Sequence, residues 1–406
     1  MTFGTAAPVR HEVADRGPAL RHWRPGIVQH VPPPGLIDLG PGYPAPALLP
    51  VGLLRAAYQR ALDEYGPAAL AYGHNTGALS LREALAERAT LADGHPCGPD
   101  QVLLTAGTSQ ALHFLSGLLG RPGDTVITDQ YSYDLARRIF SDCGLRVRPV
   151  AMDGLGTDPE SLREAVRTER AARRRVAFVY VNPTFHNPTG IVVPLTRRRE
   201  LLDVAREYEV MVIEDDAYAE LALDTEEPVP PSFAALAGYQ GVLRLGTFAK
   251  TLAPGLRLGW LLGEPALVAW LGEHGMLVSG GSLNHTTSLA VATVLRGGDY
   301  HRHLALTREE LGKRRDALAG PLCALLGERF ACQVPGGGFF LWLGPAGTPE
   351  VREETYTAAA ETAGVRLAPG SRFGTGHQPR LRLAYSFNPP AVLTEAAHRL
   401  AAAWTV

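Results

Sequence analysis

The sequence predicts an α/β protein: a mostly parallel central sheet with helices on both faces, and a smaller α+β unit towards the C-terminus. Three observations predict it. From Val102 to Leu262, short continuous apolar runs alternate with stretches of helical period, the pattern of strand–helix units whose strands are covered on both sides. Polar and turn-forming residues follow those runs directly, at the carboxyl ends of strands, where open α/β sheets bind ligands. From about Thr307 the pattern changes to one long helix followed by strands of alternating character.

A chain of 406 residues accommodates one large domain and one smaller domain. Its residues are 46% hydrophobic and 20% charged, the balance of a globular protein in water. A formal net charge of -2 offers no attraction to nucleic acid or to an anionic membrane. No apolar run is long enough to cross a bilayer. The start, Met1-Thr2-Phe3-Gly4, lacks a basic stretch followed by an apolar core, so a cytoplasmic location is expected. The cysteines, Cys97, Cys143, Cys323 and Cys332, show no Cys-x-x-Cys spacing. They suit a reducing compartment, with neither a disulfide frame nor a metal site.

Residues 1 to about 35, with Pro25-Gly26 and Pro32-Pro33-Pro34-Gly35, read as an irregular arm. The glycines of Gly40-Pro41-Gly42-Tyr43-Pro44 let backbone approach a ligand closely, although an ordinary loop has the same composition. Helices are expected over 53–62 and 80–90, on either side of the segment that holds Tyr72; taken alone, Tyr72 reads as a packing tyrosine. A strand over 102–105 leads through Ala106-Gly107-Thr108-Ser109 into an amphipathic helix ending at Leu119. Strand, glycine–hydroxyl turn and helix make an anion site, because the N–H groups at the helix start and the Thr108 and Ser109 hydroxyls can all face one point. A capped helix start without a ligand fits the same residues. A strand over 126–128 precedes Tyr131 and Tyr133, which suit a stacking platform or a packed wall. Then come a strand over 147–150 and a helix over 162–174, whose basic end reads as a solvated face.

The run Val176–Val181 is a buried parallel strand. It ends in Asn182-Pro183-Thr184-Phe185-His186-Asn187-Pro188, where two Asn-Pro steps force non-helical backbone. The isomer of the bond before Pro188 is not fixed by sequence. His186 suits a second proton carrier or a space-filling ring. A helix over 196–207 and a strand over 210–213 lead to Glu214-Asp215-Asp216-Ala217-Tyr218. Acids there are costly to bury without partners, and strand alternation separates Asp215 from Glu214 and Asp216. After a strand over 242–245 comes Gly246-Thr247-Phe248-Ala249-Lys250. A lysine delivered from a strand end into a dry pocket gives up its proton more readily, and a free amine is the nucleophile of Schiff-base chemistry. A strand-end lysine paired with a carboxylate is the plainer reading. Pro254-Gly255 then turns the chain so that Arg257, a planar fork suited to phosphate, lies near Lys250. Towards the C-terminus, the strand over 381–387 carries Arg382, with Arg380 as its competitor.

In this order, Asn187, Asp215, Tyr218, Lys250, Arg257 and Arg382 resemble the class I/II aminotransferases, pyridoxal-phosphate (PLP) enzymes of fold type I. The resemblance runs from about Ile37 to the C-terminus and is nearest to the aminoadipate/kynurenine-type branch. It implies that Lys250 holds PLP as a Schiff base. Asp215 keeps the pyridine nitrogen protonated, and Asn187 and Tyr218 share the phenolic oxygen. Gly107, Thr108, Ser109, Thr247 and Arg257 belong to the cofactor-binding set, with Tyr133, or failing it Tyr131, stacked on the ring. Arg382 forks onto a substrate α-carboxylate, and Gly42 and Asn187 line the substrate side. Tyr72 reaches the phosphate of the partner subunit, which implies a homodimer with shared sites. The domains implied are an arm and substrate-side loop (1–45), a large PLP-binding domain (46–300) and a small domain (301–406). An amino group would pass between an amino acid and a 2-oxo acid, with no nucleic acid, membrane or metal involved.

There are departures from the family pattern. Ser109 stands where glutamine is usual, His186 where glutamine is frequent, and the segment 279–287 has no glutamine, so Asn284 and His285 are where specificity would differ. These departures leave other PLP reactions open: β- or γ-elimination, replacement, decarboxylation and oxidative deamination. A PLP-binding half of a transcription regulator is the remaining alternative, for which an arm of about 35 residues leaves no room for a winged helix.

Overall fold

The apolar runs of the central region assemble into one seven-stranded sheet. Its strands are β1 (Val102–Thr105), β2 (Thr125–Asp129), β3 (Arg146–Val150), β4 (Val176–Val181), β5 (Val212–Asp215), β6 (Val242–Thr247) and β7 (Gly259–Leu262). The computed structural model describes residues 33, 35–224, 228–347, 351–376 and 378–404. Of the expected arm, residues 1–32 and 34 lie outside the described residues. The strand order is β1-β7-β6-β5-β4-β2-β3. All neighbours are parallel except β7, which is antiparallel to both β1 and β6.

Helices α1 (Val51–Tyr65), α2 (Leu79–Asp93), α3 (Thr108–Leu119), α4 (Asp134–Asp142), α5 (Pro159–Ala171), α6 (Leu195–Glu207), α7 (Pro265–Gly272) and α8 (His285–Arg296) accompany this sheet. Side-chain alternation splits each strand between two cores. In β4, Val179 and Val181 pack with Leu162 of α5 and Leu201 of α6. Tyr180 packs on the other face with Leu112 of α3 and Phe140 of α4. That is why β4 reads as a continuous apolar run.

The start of α5 follows a cap rather than periodicity. α5 starts three residues before the expected 162, because Pro159 occupies its first turn and the Asp158 carboxylate accepts from the N–H groups of Glu160 and Ser161. The basic end of this helix is not a merely solvated face. Arg174 and Arg148 both pair with Glu169, which is 3% exposed, and the Arg174 guanidinium foremost holds its carboxyl down to about 2. β5 lies two residues later than the apolar run suggests, since its ladders pair Val212 with Val179 and Asp215 with Leu245. The strand therefore includes two acids.

A second, antiparallel sheet contains β8 (Phe330–Cys332), β9 (Phe340–Pro345), β10 (Ala368–Pro369) and β11 (Leu381–Ala384), in the order β8-β9-β11-β10. Its own core joins Leu341, Leu343, Leu381 and Leu383 to Leu318 and Leu322 of α9 (Asp299–Leu326) and to Leu393 and Leu400 of a C-terminal helix, Pro390–Ala403. α9 begins ahead of the expected Thr307 because Gly298, at φ +71, turns the chain straight out of α8. Cys323 and Cys332 form a disulfide, with Cα atoms 5.8 Å apart, contrary to the reduced thiols expected. The short turn Gly327–Arg329 folds β8 back along the end of α9, a contact for which residue spacing carries no signature.

Behind the sheet a buried ion network fixes β5 and β6. Arg244 of β6 pairs with Asp93 at 2.7 Å and with Asp216 at 2.6 Å. Glu214 accepts from the N–H groups of Phe233 and Ala234 at 2.9 and 3.1 Å. Glu214 and Asp216 thus have partners of their own, on another side from Asp215. Arg244→Met leaves two buried carboxylates uncompensated and is expected to cost about 3–5 kcal/mol in urea denaturation. Arg296→Met, which breaks the exposed pair with Glu64, is expected to leave the midpoint unchanged.

Candidate active site

β4, β5 and β6 are adjacent and parallel, so their carboxyl ends open on one side. From β4 comes the loop holding His186 and Asn187, from β5 come Asp215 and Tyr218, and from β6 come Thr247 and Lys250. The Asn187–Pro188 bond is cis. β11 brings Arg382 to the same place: its Nη1 donates to Asn187 Oδ1 at 2.8 Å, and its Nη2 to the Gly40 carbonyl at 2.7 Å.

Lys250 Nζ donates to the Gly42 carbonyl at 2.7 Å. It lies 5.7 Å from the centre of the Tyr218 ring and 5.8 Å from that of Phe339. Burial pushes its ammonium down to about 8; Asp215 opposes this, while Arg382 and Arg257 add to it. Asp215 is 5% exposed. Its Oδ2 accepts from the Tyr180 hydroxyl at 2.8 Å, and its Oδ1 is buried with no partner. Burial raises this carboxyl to about 6 against the pull of the Tyr180 hydrogen bond. Asn182 holds the strand ends together: its Nδ2 donates to the Asp215 carbonyl, and its Oδ1 accepts from the Asn187 N–H at 2.7 Å.

The Arg382 guanidinium sits 4.1 Å from the centre of the Phe340 ring and 4.5 Å from that of Phe373. Burial, assisted by Arg372, lowers it to about 10, and its Nε is buried without a partner. Arg380 faces elsewhere, donating from Nη2 to Gln378 and from its backbone to Glu353. Between the two tyrosines, the structure brings Tyr133 into the site. Burial pushes its hydroxyl up to about 12, with Asp134 and Asp215 adding to the rise and Arg382 opposing it. Tyr131 instead packs edge-on against Trp342 and bridges to Gly374. Tyr218 is 4% exposed, with its hydroxyl pushed well up by burial, and meets Phe339 and Phe340 edge-on.

α3 begins at Thr108 behind Gly107, at φ +83, and no side chain caps it. Arg257, at φ +46, donates to the Ala106 carbonyl at 3.0 Å. A Cβ at Gly107 would stand 3.0 Å from the Arg257 guanidinium. Uncapped N–H groups, the Thr108 and Ser109 side chains and a guanidinium thus surround one helix start. Thr247 shapes the turn before Lys250: its hydroxyl accepts from the Ala249 N–H at 3.1 Å and donates to the Leu258 carbonyl at 3.4 Å. Tyr72 does not join this group within the chain. It is 88% exposed and has no hydrogen bond among the described residues. Asn284 donates to the Arg257 carbonyl, and His285 lies 3.2 Å from the Ala68 carbonyl, so these two brace neighbouring backbone.

Sequence reasoning missed Tyr180, Asn182 and the aromatic bracket of Phe340 and Phe373. The available signals were a hydroxyl in an otherwise apolar strand and the first of two Asn-Pro steps.

The family model for aminotransferase class I and II matches residues 37–400. The chain belongs to that family. It is 32% identical to 2-aminoadipate transaminase of Thermus thermophilus, over 90% of this chain and 89% of that protein. It is 31% identical to an uncharacterised HTH-type transcriptional regulator of Bacillus subtilis, over 89% of this chain and 72% of the regulator. A crystal structure of kynurenine aminotransferase from Pyrococcus horikoshii, in complex with PMP, superposes with a TM-score of 0.82 at 28% identity, covering 91% of this chain and 90% of that one. This is a PLP-dependent aminotransferase of fold type I. The residues present fit the cofactor. Asp215 Oδ1 lacks a donor that a pyridinium N–H would supply, and the uncapped α3 start beside Arg257 offers N–H groups and a guanidinium that suit a phosphate.

In the protein without cofactor, the Asp215 charge is a burden. Its carboxyl, raised to about 6, lies above the ordinary aspartate value of about 3.9, so the native state holds the extra proton between them. Stability therefore falls as pH rises through that window and stays lower above it. Asp215→Asn is expected to stabilise the apoprotein by about 1–2 kcal/mol at pH 8, a gain that vanishes near pH 4. Chemical denaturation at the two pH values measures it.

Proposed function

We propose that Lys250 is the lysine that binds PLP and that the reaction passes an amino group from an amino acid to a 2-oxo acid. The observation that carries this reading is the meeting, in one buried pocket, of the Lys250 amine and the unpartnered oxygen of Asp215. When bound, PLP supplies an aldehyde for the amine and a ring that stores the electrons of the substrate Cα–H bond. Asp215 Oδ1 would hold a proton at the ring nitrogen. Asn187 and Tyr218 would hold the phenolic oxygen, and Tyr133 would cover the ring. The α3 start, Thr108, Ser109 and Arg257 take the phosphate. Arg382, braced by Asn187 and bracketed by Phe340 and Phe373, grips the α-carboxylate through its guanidinium edge. Lys250 Nζ would also be the group that moves the α-proton, a task suited to an amine lowered to about 8. Gly42 provides a carbonyl that holds Nζ in line.

The exposed Tyr72, with Leu70 at 74% and Leu79 at 52% exposure, supports a homodimer in which Tyr72 serves the partner's site. No helix among the described residues is long and apolar enough to cross a membrane, which agrees with a cytoplasmic enzyme. The similarity to an HTH-type regulator favours one second reading, in which this fold senses a ligand for a DNA-binding partner domain.

Incubation with single amino acids, with and without a 2-oxo acid, tests the proposal. Repeated turnover is expected only with the acceptor present; turnover without it contradicts transamination, and sequence-specific DNA binding in a shift assay supports the regulator. Arg382→Gln is expected to raise KM for the amino acid about 10–100-fold. PLP uptake by the apoprotein is expected to quicken as pH rises through about 8, where the Lys250 amine becomes free, and visible absorbance follows it.

A further inference from the structure

His186 is 2% exposed and takes no part in the chemistry above. Its Nδ1 faces Thr189, 2.8 Å from the hydroxyl oxygen and 3.4 Å from the backbone nitrogen, whose N–H donates to it. A backbone N–H can only donate, so Nδ1 keeps its lone pair and Nε2 carries the hydrogen. Nε2 lies 3.4 Å from Asp129 Oδ2, a polar contact that does not meet hydrogen-bond geometry, and it has no hydrogen-bond partner among the described residues. Asp129, 4% exposed, is the last residue of β2, and its other oxygen accepts from the Thr157 hydroxyl. A cavity with room for about one water adjoins the pair, lined by Asp129, Thr157, Asn182 and His186 among others.

The two residues stand at the roots of two site loops. Asp129 leads into the segment that carries Tyr133, and His186 is joined to Asn187. We propose that His186 and Asp129 form a buried clamp tying the Tyr133 loop to the Asn187 loop, which makes His186 a positioning residue for the cofactor ring those loops contact. The inference rests on the PLP reading above. Both halves of the clamp are anchored independently, His186 by Thr189 and Asp129 by Thr157. Moving either residue away removes the one polar contact that Nε2 has among the described residues, which favours the observed separation of the loops.

Glutamine offers an acceptor and a donor spaced much like the two ring nitrogens, whereas leucine offers volume alone. The test compares His186→Gln, His186→Leu, Asp129→Asn, Asp129→Ala and the double variant His186→Leu/Asp129→Ala. PLP affinity is measured by equilibrium dialysis, the induced circular dichroism of bound PLP reports ring orientation, and thermal melting reports folding. His186→Leu and Asp129→Ala are each expected to weaken PLP binding about tenfold and to diminish the induced signal. The double variant is expected to lose no more than the worse single one, and His186→Gln to stay within about twofold of wild type. Asp129→Asn, which keeps the shape, is expected to lose about threefold, and it decides the matter if His186→Leu fails to fold.

A His186→Leu protein with wild-type affinity and dichroism, a Gln variant as impaired as Leu, or additive losses would each overturn the clamp alone. Wild-type protein that takes up no PLP would instead defeat the functional reading and the clamp together.

Discussion

A lysine and an aspartate share one pocket, and burial there makes each charge harder to hold than it is in water. Burial lowers Lys250 to about 8 and raises Asp215 to about 6, while each opposes the shift of the other. Neither group could keep that state at a loop tip. Both are placed by the ends of neighbouring strands, so the ladder between β5 and β6 fixes their separation. The ladder is secured in turn from behind by Arg244, which joins β6 to Asp93 and Asp216. The site is thus a locally unfavourable arrangement carried by favourable packing around it.

The rest of the pocket complements these two groups from distant parts of the chain. Gly40 and Gly42 supply carbonyls to Arg382 and Lys250. The second sheet contributes Arg382 and the Phe340 ring, and Phe373 closes the bracket. At the other end, Arg257 and the uncapped start of α3 leave positive potential without an internal anion. The lysine–aspartate pair, the Arg382 guanidinium and the α3 start therefore occupy separate walls, the arrangement on which the proposed roles rest.

Much of this was legible in the sequence, for a definite reason. Lys250, Asp215 and Asn187 follow apolar runs directly, so periodicity placed the strands and the polar residues beyond them marked the site. The sequence favoured Arg382 with Arg380 as its competitor, and in the structure Arg382 faces Asn187 while Arg380 faces Gln378 and Glu353. Long-range pairs such as Asp93 with Arg244, Asp129 with His186 and Cys323 with Cys332 leave no periodic trace, because a contact made by tertiary folding has no fixed spacing. Boundaries missed by two or three residues, as at α5 and β5, were set by a cap and by ladder register.

The central claim is that a single desolvated amine is the anchor of the cofactor. The sequence holds two lysines, Lys250 and Lys313, and Lys313 is exposed and paired with Glu309 and Glu310. Borohydride reduction of PLP-saturated protein followed by peptide mapping tests the claim most directly. The account predicts a stable pyridoxyl adduct on the Lys250 peptide alone. An adduct on Lys313, or on no lysine at all, would contradict it.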